Sequence, residues 1–288
     1  MKNKQLLAIF ESVAVTAIWA SSFVFVKMGL AYMGPLTIAG FRYFLGFLLL
    51  LPLLMMKGVF KQPLPKELWI RLLAIGLSAY AIGNGALFWA LKYMPATTVS
   101  FFMSLSPLLF LFGGMVWLKE NPTVLQVAGL LVSLSGSALF FSSGLKSGEF
   151  TGVIIVIIGL LGFMAFGILG REVARGKKVD TLTLTTVPLA FGGGFLLPIA
   201  FFLEGFPRLT LKPVGIVVWL ALFNTALGYL LYNHALKTLT ALEMNVILNL
   251  APLGTAFLAW WFLGEQLDVI KIIGMIVMIL GVIVVQRA

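Results

Sequence analysis

Cysteine is absent from the chain, and histidine occurs once, as His234. No disulfide, thiolate metal site or thiol nucleophile can therefore be built. Charge is also scarce: Lys, Arg, Asp and Glu make up 10% of the residues, against about 25% in soluble domains. That excludes a soluble globular domain and points to a membrane protein. An intramembrane enzyme acting on lipids would need a cluster of acid, base or metal-ligand groups. One histidine and two in-span carboxylates make such a cluster hard to assemble, so neither an enzyme nor a cofactor is expected. Gly192-Gly193-Gly194 lies in an apolar stretch and lacks the closing Lys-Ser/Thr of a phosphate loop, so direct ATP drive is not expected. The net charge is +10, but no run of basic residues interleaves with aromatics outside the apolar stretches. Nucleic acid is therefore not an expected partner, and the basic balance reflects topology.

What the chain has in quantity is apolar sequence, 61% of it. A helix needs about 20 mostly apolar residues to cross a bilayer. Windows of that size predict an all-α integral membrane protein with ten transmembrane helices, at roughly 6–29, 35–56, 69–91, 96–118, 122–141, 150–170, 182–203, 214–236, 241–263 and 269–286. The breaks are short, as at Tyr32-Met33-Gly34-Pro35 and Lys92-Tyr93-Met94-Pro95, with turn residues where a helix must stop. The first stretch is too long for a signal-peptide core and is expected to be retained. With the N-terminus in the cytoplasm, thirteen of the 20 Lys and Arg residues fall in inside segments, six in outside segments, and Arg42 within a span. The positive-inside rule then favours cytoplasmic N- and C-termini for a multi-pass protein of the plasma (cytoplasmic) membrane.

The chain also repeats itself. A shift of 145 positions carries Ala90-Leu91-Lys92 onto Ala235-Leu236-Lys237, Pro107 onto Pro252, Gly129 onto Gly274 and Gly136 onto Gly281. The period is about half the chain, which marks a duplication. The expected halves are residues 1–145 and 146–288, with five spans each. Five is odd, so the second half must run through the membrane in the opposite sense. Inverted repeats of this kind recur in secondary transporters, with the substrate site near the midplane between them.

Polar groups within spans are costly and usually face an interior or a cavity. Ser100 and Ser104 precede Pro107, and Asn245 and Asn249 precede Pro252. A spacing of four stacks each pair on one helix face. They read either as a cavity lining or as hydrogen-bonding glue between helices. Pro107 and Pro252, mid-span, predict kinks that serve as hinges or as static shape. Tyr80 and Asn84 in span three, with Asn224, Thr225 and Tyr229 in span eight, suit a small polar or amphipathic solute. Trp19, Ser22 and Phe101 complete the candidate substrate-binding set. Glu11, Glu243 and His234 are candidates for ion coupling, each with a bland alternative as a snorkelling or interfacial group. Arg42 is either a clamp for a substrate carboxylate or a structural tie. Gly129, Ser133 and Ser137 form a small-residue stripe that reads as close helix packing or as the face of a weak homodimer; otherwise the chain is a monomer.

These residues resemble the drug/metabolite transporter superfamily, in its ten-span EamA-type branch. The resemblance is carried by Ile18-Trp19-Ala20-Ser21-Ser22-Phe23 with Lys27, Pro35-Leu36-Thr37 with Phe41-Arg42, and Ala90-Leu91-Lys92-Tyr93. It continues in Ser104-Leu105-Ser106-Pro107, Leu118-Lys119-Glu120, Ala235-Leu236-Lys237, Asn249-Leu250-Ala251-Pro252 and Leu263-Gly264-Glu265. The resemblance implies two inverted five-helix repeats around a central cavity, with spans five and ten at the periphery. Characterised relatives mostly export amino acids or other small metabolites, and some import nucleobases or vitamins. Related small multidrug-resistance proteins use a span-one carboxylate for proton-coupled export. An alignment on Lys27 places Trp19 there, with Glu11 two turns earlier. The leading expectation is a secondary transporter, exporting amino acids or similar metabolites by alternating access. The alternative is a proton-coupled exporter of cationic or lipophilic drugs. The expected partners are a small-molecule substrate and the lipid bilayer.

Overall fold

The computed structural model describes residues 2–57, 64–105, 108–109, 123–142, 148–175, 180–235, 238–239, 247–266 and 268–287. Every regular element among them is helical. α1 (Lys2–Gly29) and α2 (Pro35–Met56) come first. α3 (Lys66–Gly76) continues through a π-helical segment (Leu77–Asn84) into α4 (Gly85–Ala90). α5 (Ala96–Ser104), α6 (Val124–Phe140), α7 (Glu149–Arg175) and α8 (Thr181–Glu204) follow. α9 (Leu211–Trp219) continues through a second π segment (Leu220–Leu227) into α10 (Gly228–Ala235), and α11 (Ala251–Leu263) and α12 (Val269–Arg287) complete the described chain.

Six stretches are long and apolar enough to cross a membrane: Lys4–Gly29, Pro35–Met56, Lys66–Ala90, Glu149–Gly170, Thr181–Glu204 and Leu211–Tyr232. They correspond to expected spans one to three and six to eight. Spans five, nine and ten stand as shorter apolar helices, Val124–Phe140, Ala251–Leu263 and Val269–Val285; of span four, α5 is described. The outward faces carry apolar side chains, such as Leu49 and Leu53 on α2, Ile157 and Leu161 on α7, and Ile276 and Leu280 on α12. In water such faces would drive aggregation; in hydrocarbon they are the favoured surface.

The described chain forms two compact units, and neither is a sequence half. One comprises Met1–Val24, Tyr93–Thr151 and Leu231–Ala288; the other comprises Phe25–Lys92 and Gly152–Leu230. α1 passes from the first unit to the second between Val24 and Phe25, and α10 passes from the second to the first between Leu230 and Leu231.

In the first unit, α6 packs on α12 through small residues. A methyl group added at Gly129 would lie 2.8 Å from the Gly281 carbonyl oxygen, and one at Gly136 would lie 2.7 Å from that of Gly274. The contacts are reciprocal: methyls at Gly274 and Gly281 would each lie 2.7 Å from the carbonyls of Gly136 and Gly129 respectively. Ser133 Oγ donates to the Met278 carbonyl at 3.3 Å. Within the chain the small-residue stripe is thus a close helix contact.

A matching inter-helix capping device is found in each unit. The N–H groups of a helix's first turn have no partner within the helix. At the start of α2, Glu204 accepts from Leu36 N (3.0 Å), Thr37 N (2.9 Å) and Thr37 Oγ1 (2.7 Å). At the start of α5, Glu265 accepts from Ala96 N (2.7 Å), Thr97 N (3.2 Å) and Thr97 Oγ1 (2.9 Å). Each carboxylate sits at a helix C-terminus turned by a left-handed glycine, Gly205 (φ 74°) after α8 and Gly264 (φ 66°) after α11. A side chain with a Cβ would be strained there. Negative charge at a helix N-terminus also complements the helix dipole, so each device ties one helix's end to another's beginning.

Candidate functional site

The second unit holds a buried polar and aromatic cluster. Arg42 on α2, 6% exposed, donates through Nε to Thr225 Oγ1 at 3.0 Å and through Nη2 to the Asn224 carbonyl at 3.4 Å. Its guanidinium carbon lies 5.1 Å from the Tyr43 ring centroid and 5.5 Å from that of Phe88. The structure therefore gives Arg42 a tying role between α2 and the second π segment. The rings of Tyr43 and Tyr80 are 4.7 Å apart, and Tyr80 donates its hydroxyl to that of Tyr229 at 3.3 Å. The hydroxyl of Tyr43 is buried with no hydrogen-bond partner among the described residues.

Local structure explains why the polar groups gather here. A π turn widens the helix and shifts its hydrogen bonds to i−5, and such bulges often mark functional sites. Asn84 donates to the Ala79 carbonyl at 2.9 Å and Thr225 to the Leu220 carbonyl at 3.1 Å, each bridging five residues. Each π segment thus has a polar side chain that satisfies the backbone it loosens. Asn224, in the second segment, is fully buried. Glycines on α7 seat that helix on the first segment: a methyl at Gly162 would lie 2.7 Å from the Ser78 carbonyl oxygen.

The first unit holds the other candidates. His234 Nδ1 on α10 lies 2.8 and 2.9 Å from the two carboxylate oxygens of Glu11 on α1. Two turns along α1, Trp19 packs on Tyr232 with ring centroids 5.4 Å apart. Thr16 Oγ1 donates to the carbonyls of Ser12 (2.8 Å) and Ile247 (3.4 Å). Ser100 donates to Thr255 Oγ1 at 3.0 Å, and Thr255 passes the chain on to the Ala20 carbonyl at 2.9 Å. Ser100 is thus placed in a tie between α5 and α11. Ser104 reaches back to the Ser100 carbonyl at 3.4 Å. Phe101 is fully buried and stacks on Phe140 at 4.0 Å. Ser22 and Asn249 are buried. Pro252 stands in the first turn of α11, where its missing N–H breaks no intrahelical bond. Residues 247 and 248 are helical and a turn at Asn249-Leu250 precedes α11, so the helical path is interrupted beside Pro252. Pro107, Asn245 and Glu243 lie outside the described residues.

Sequence reasoning singled out Glu11 and His234 separately but did not pair them, and it missed Tyr43, Glu204 and the π segments. The signal available for Glu204 and Glu265 was the Pro-x-Thr opening of both α2 and α5. A hydroxyl donor two residues past an N-terminal proline invites an anionic cap.

The model of the EamA-like transporter family matches residues 6–142 and again residues 150–287. An uncharacterized transporter of Archaeoglobus fulgidus is 31% identical over 272 residues, covering 92% of each chain. A protein of Streptantibioticus cattleyicolor named "Probable terminal-alkyne amino-acid exporter" is 25% identical over 288 residues, covering 97% of this chain and 93% of its own. A solved crystal structure superposes with a TM-score of 0.70 over 96% of both chains at 16% identity, a likeness of fold alone. The family and these relatives carry the names of transporters, not of enzymes.

Proposed function

Because the chain belongs to the EamA-like transporter family, we propose that it is a secondary transporter exporting amino acids and similar small metabolites across the cytoplasmic membrane. In this reading two inverted five-helix repeats alternate access to a site between them, and both termini are cytoplasmic. The reciprocal glycine contacts support the inverted relation. Gly129 meets Gly281, the mate of Gly136 under the 145-residue shift, and Gly136 meets Gly274, the mate of Gly129, as expected where two copies meet about a two-fold axis. The name of the Streptantibioticus relative, an amino-acid exporter, supports the amino-acid class.

The observation that carries the reading is the Tyr43 hydroxyl. A buried polar group without a partner costs about 1–3 kcal/mol, and each one in a native structure calls for an explanation. Here it lies in a cluster of rings and hydrogen-bonding groups (Tyr80, Asn84, Asn224, Tyr229) on loosened helical turns. Such a cluster suits a solute with a polar end and an apolar side chain: hydroxyl and amide groups take the former, rings the latter. Counterflow in proteoliposomes tests the function, and Tyr43→Phe tests the site. Exchange of at least one labelled amino acid is expected, reduced about tenfold or more in Tyr43→Phe without loss of folding stability. Unchanged exchange in that variant removes Tyr43 from the site.

A further inference from the structure

We propose that Glu11 and His234 together form the proton-binding site that couples this transporter to the pH gradient, an inference that rests on the transport reading above. The chain's only histidine meets the carboxylate of Glu11, which lies about 14 Å along α1 from its start. The Nδ1 contacts of 2.8 and 2.9 Å to both oxygens fit one proton held between ring and carboxylate. Glu11 is shielded, its side chain 12% exposed, while that of His234 is 56% exposed. The imidazole can therefore take up a proton on its open side and share it with the shielded carboxylate.

Apolar side chains and two backbone-bonded hydroxyls, those of Ser12 and Thr16, accompany the pair on the same helices. Ala8, Val15, Ala235 and Leu239 pack together beside the pair, with Trp19 and Tyr232 against them. Of the other ionisable side chains on the two helices, Lys4 is exposed about 10 Å along α1 from Glu11. Lys27 donates to the Leu91 carbonyl at 2.7 Å, Tyr229 bonds Tyr80, and Tyr232 stacks on Trp19. α11, whose Thr255 bonds to α1, has no ionisable residue. Lys237 and Glu243, which follow α10 in the chain, lie outside the described residues.

Charge balance gives the coupling its sense. With one shared proton the pair is neutral; when the proton leaves to water, a bare carboxylate remains beside a neutral imidazole, with net charge −1. A neutral pair moves through a low-dielectric region more easily than a charged one, by a factor on the order of a hundred on insertion scales. Proton-loaded and proton-free forms therefore change conformation at different rates. α1, α7 and α10 each pass from one compact unit to the other, so the pair joins two of these three helices and its charge bears on both. A proton taken from the outside and released to the cytoplasm moves opposite to the exported solute.

The test separates driven from exchange transport in proteoliposomes holding the whole chain. For the natural protein, an imposed pH gradient is expected to raise amino-acid flux about tenfold or more. In Glu11→Gln and His234→Gln that gradient-driven flux falls to the level without a gradient, while counterflow, which moves no net protons, continues. Loss of packing alone would lower both together, and that result would overturn the proposal. Gradient-driven flux retained in Glu11→Gln would also overturn it. So would counterflow in the natural protein with no response to the gradient, which leaves the transport reading intact. Absence of counterflow for every solute would remove the transport reading, and the coupling with it. The single histidine also gives one set of ring ¹⁵N signals. They should show a hydrogen-bonded Nδ1 proton that disappears in Glu11→Leu, which leaves no acceptor, and identical spectra in those two proteins would mean the pair does not form.

Discussion

Replacing Glu265 with glutamine tests how the helices of the first unit are held. The carboxylate receives Ala96 N–H on one oxygen, and Thr97 N–H and Oγ1–H on the other, at 2.7, 3.2 and 2.9 Å. Glutamine is nearly the same size but offers one acceptor oxygen and one NH₂. Whichever way the amide turns, its NH₂ faces a backbone N–H, and at least one charge-assisted hydrogen bond is lost. Hydrogen bonds to charged groups contribute about 1.5–3 kcal/mol. Removing the negative charge from the N-terminus of α5 costs about a further 0.3–1 kcal/mol. The expected loss is therefore about 2–4 kcal/mol. Equilibrium unfolding in mixed micelles, followed by fluorescence of the 7 tryptophans, measures it. Glu204→Gln should cost a similar amount, because Glu204 receives the matching three donors at the start of α2. The two devices share no partner, so the losses should add within about 0.5 kcal/mol. A change below about 0.5 kcal/mol for either single variant would refute the capping argument.

Gly136→Ala would drive a methyl into the Met278 backbone across the α6–α12 contact; a loss of about 1–3 kcal/mol is expected in the same assay, whereas Gly215→Ala, which meets open space, should change little. Asp180 lies just outside the membrane span at the start of α8. Burial pushes its carboxyl up, but hydrogen bonds from the Thr183 hydroxyl and amide and the Lys57 ammonium outweigh that and hold it below the ordinary carboxylate value. Its folded pKa is depressed, so its stabilisation is present above about pH 4 and is lost as pH falls through the folded value. Asp180→Asn should therefore be destabilising at pH 7 and progressively less so below pH 4, as unfolding midpoints across that range would show. Because the chain lacks cysteine, single cysteines report topology without background. Arg208→Cys should react with a membrane-impermeant maleimide in intact cells, and Lys57→Cys only after permeabilisation; the reverse pattern would invert the proposed orientation.

Much of the helical plan was legible because hydrocarbon leaves little choice. Spans one to three and six to eight follow from long apolar windows, and the glycine stripe of α6 announced a close contact. The sequence could not show that the stripe's partner was α12, since small residues suit a dimer equally well. The π segments were hidden because their i−5 bonds leave no periodic mark. Tyr80 and Asn84 read as an ordinary helical pair, and only the Asn84 bond to Ala79 reveals the wider turn. The apolar run continues on both sides of Pro252, and what the sequence left open is the turn at Asn249-Leu250, between helical residues 247–248 and the start of α11 at Ala251. Glu11 and His234 are 223 residues apart, and no local pattern brings such groups together. Glu204 sat at a span end among apolar neighbours, where a carboxylate reads as a solvated terminus.

The central claim is that this chain moves amino acids through a site that includes the Tyr43–Tyr80–Tyr229 cluster. Counterflow of labelled amino acids into proteoliposomes, run side by side for the natural protein and Tyr43→Phe, tests it most directly. The account predicts exchange by the natural protein and a reduction of about tenfold or more in the variant, whose unfolding midpoint is unchanged or higher because a buried unpartnered hydroxyl has been removed. Exchange by neither protein for any amino acid, or equal exchange by both, would contradict it.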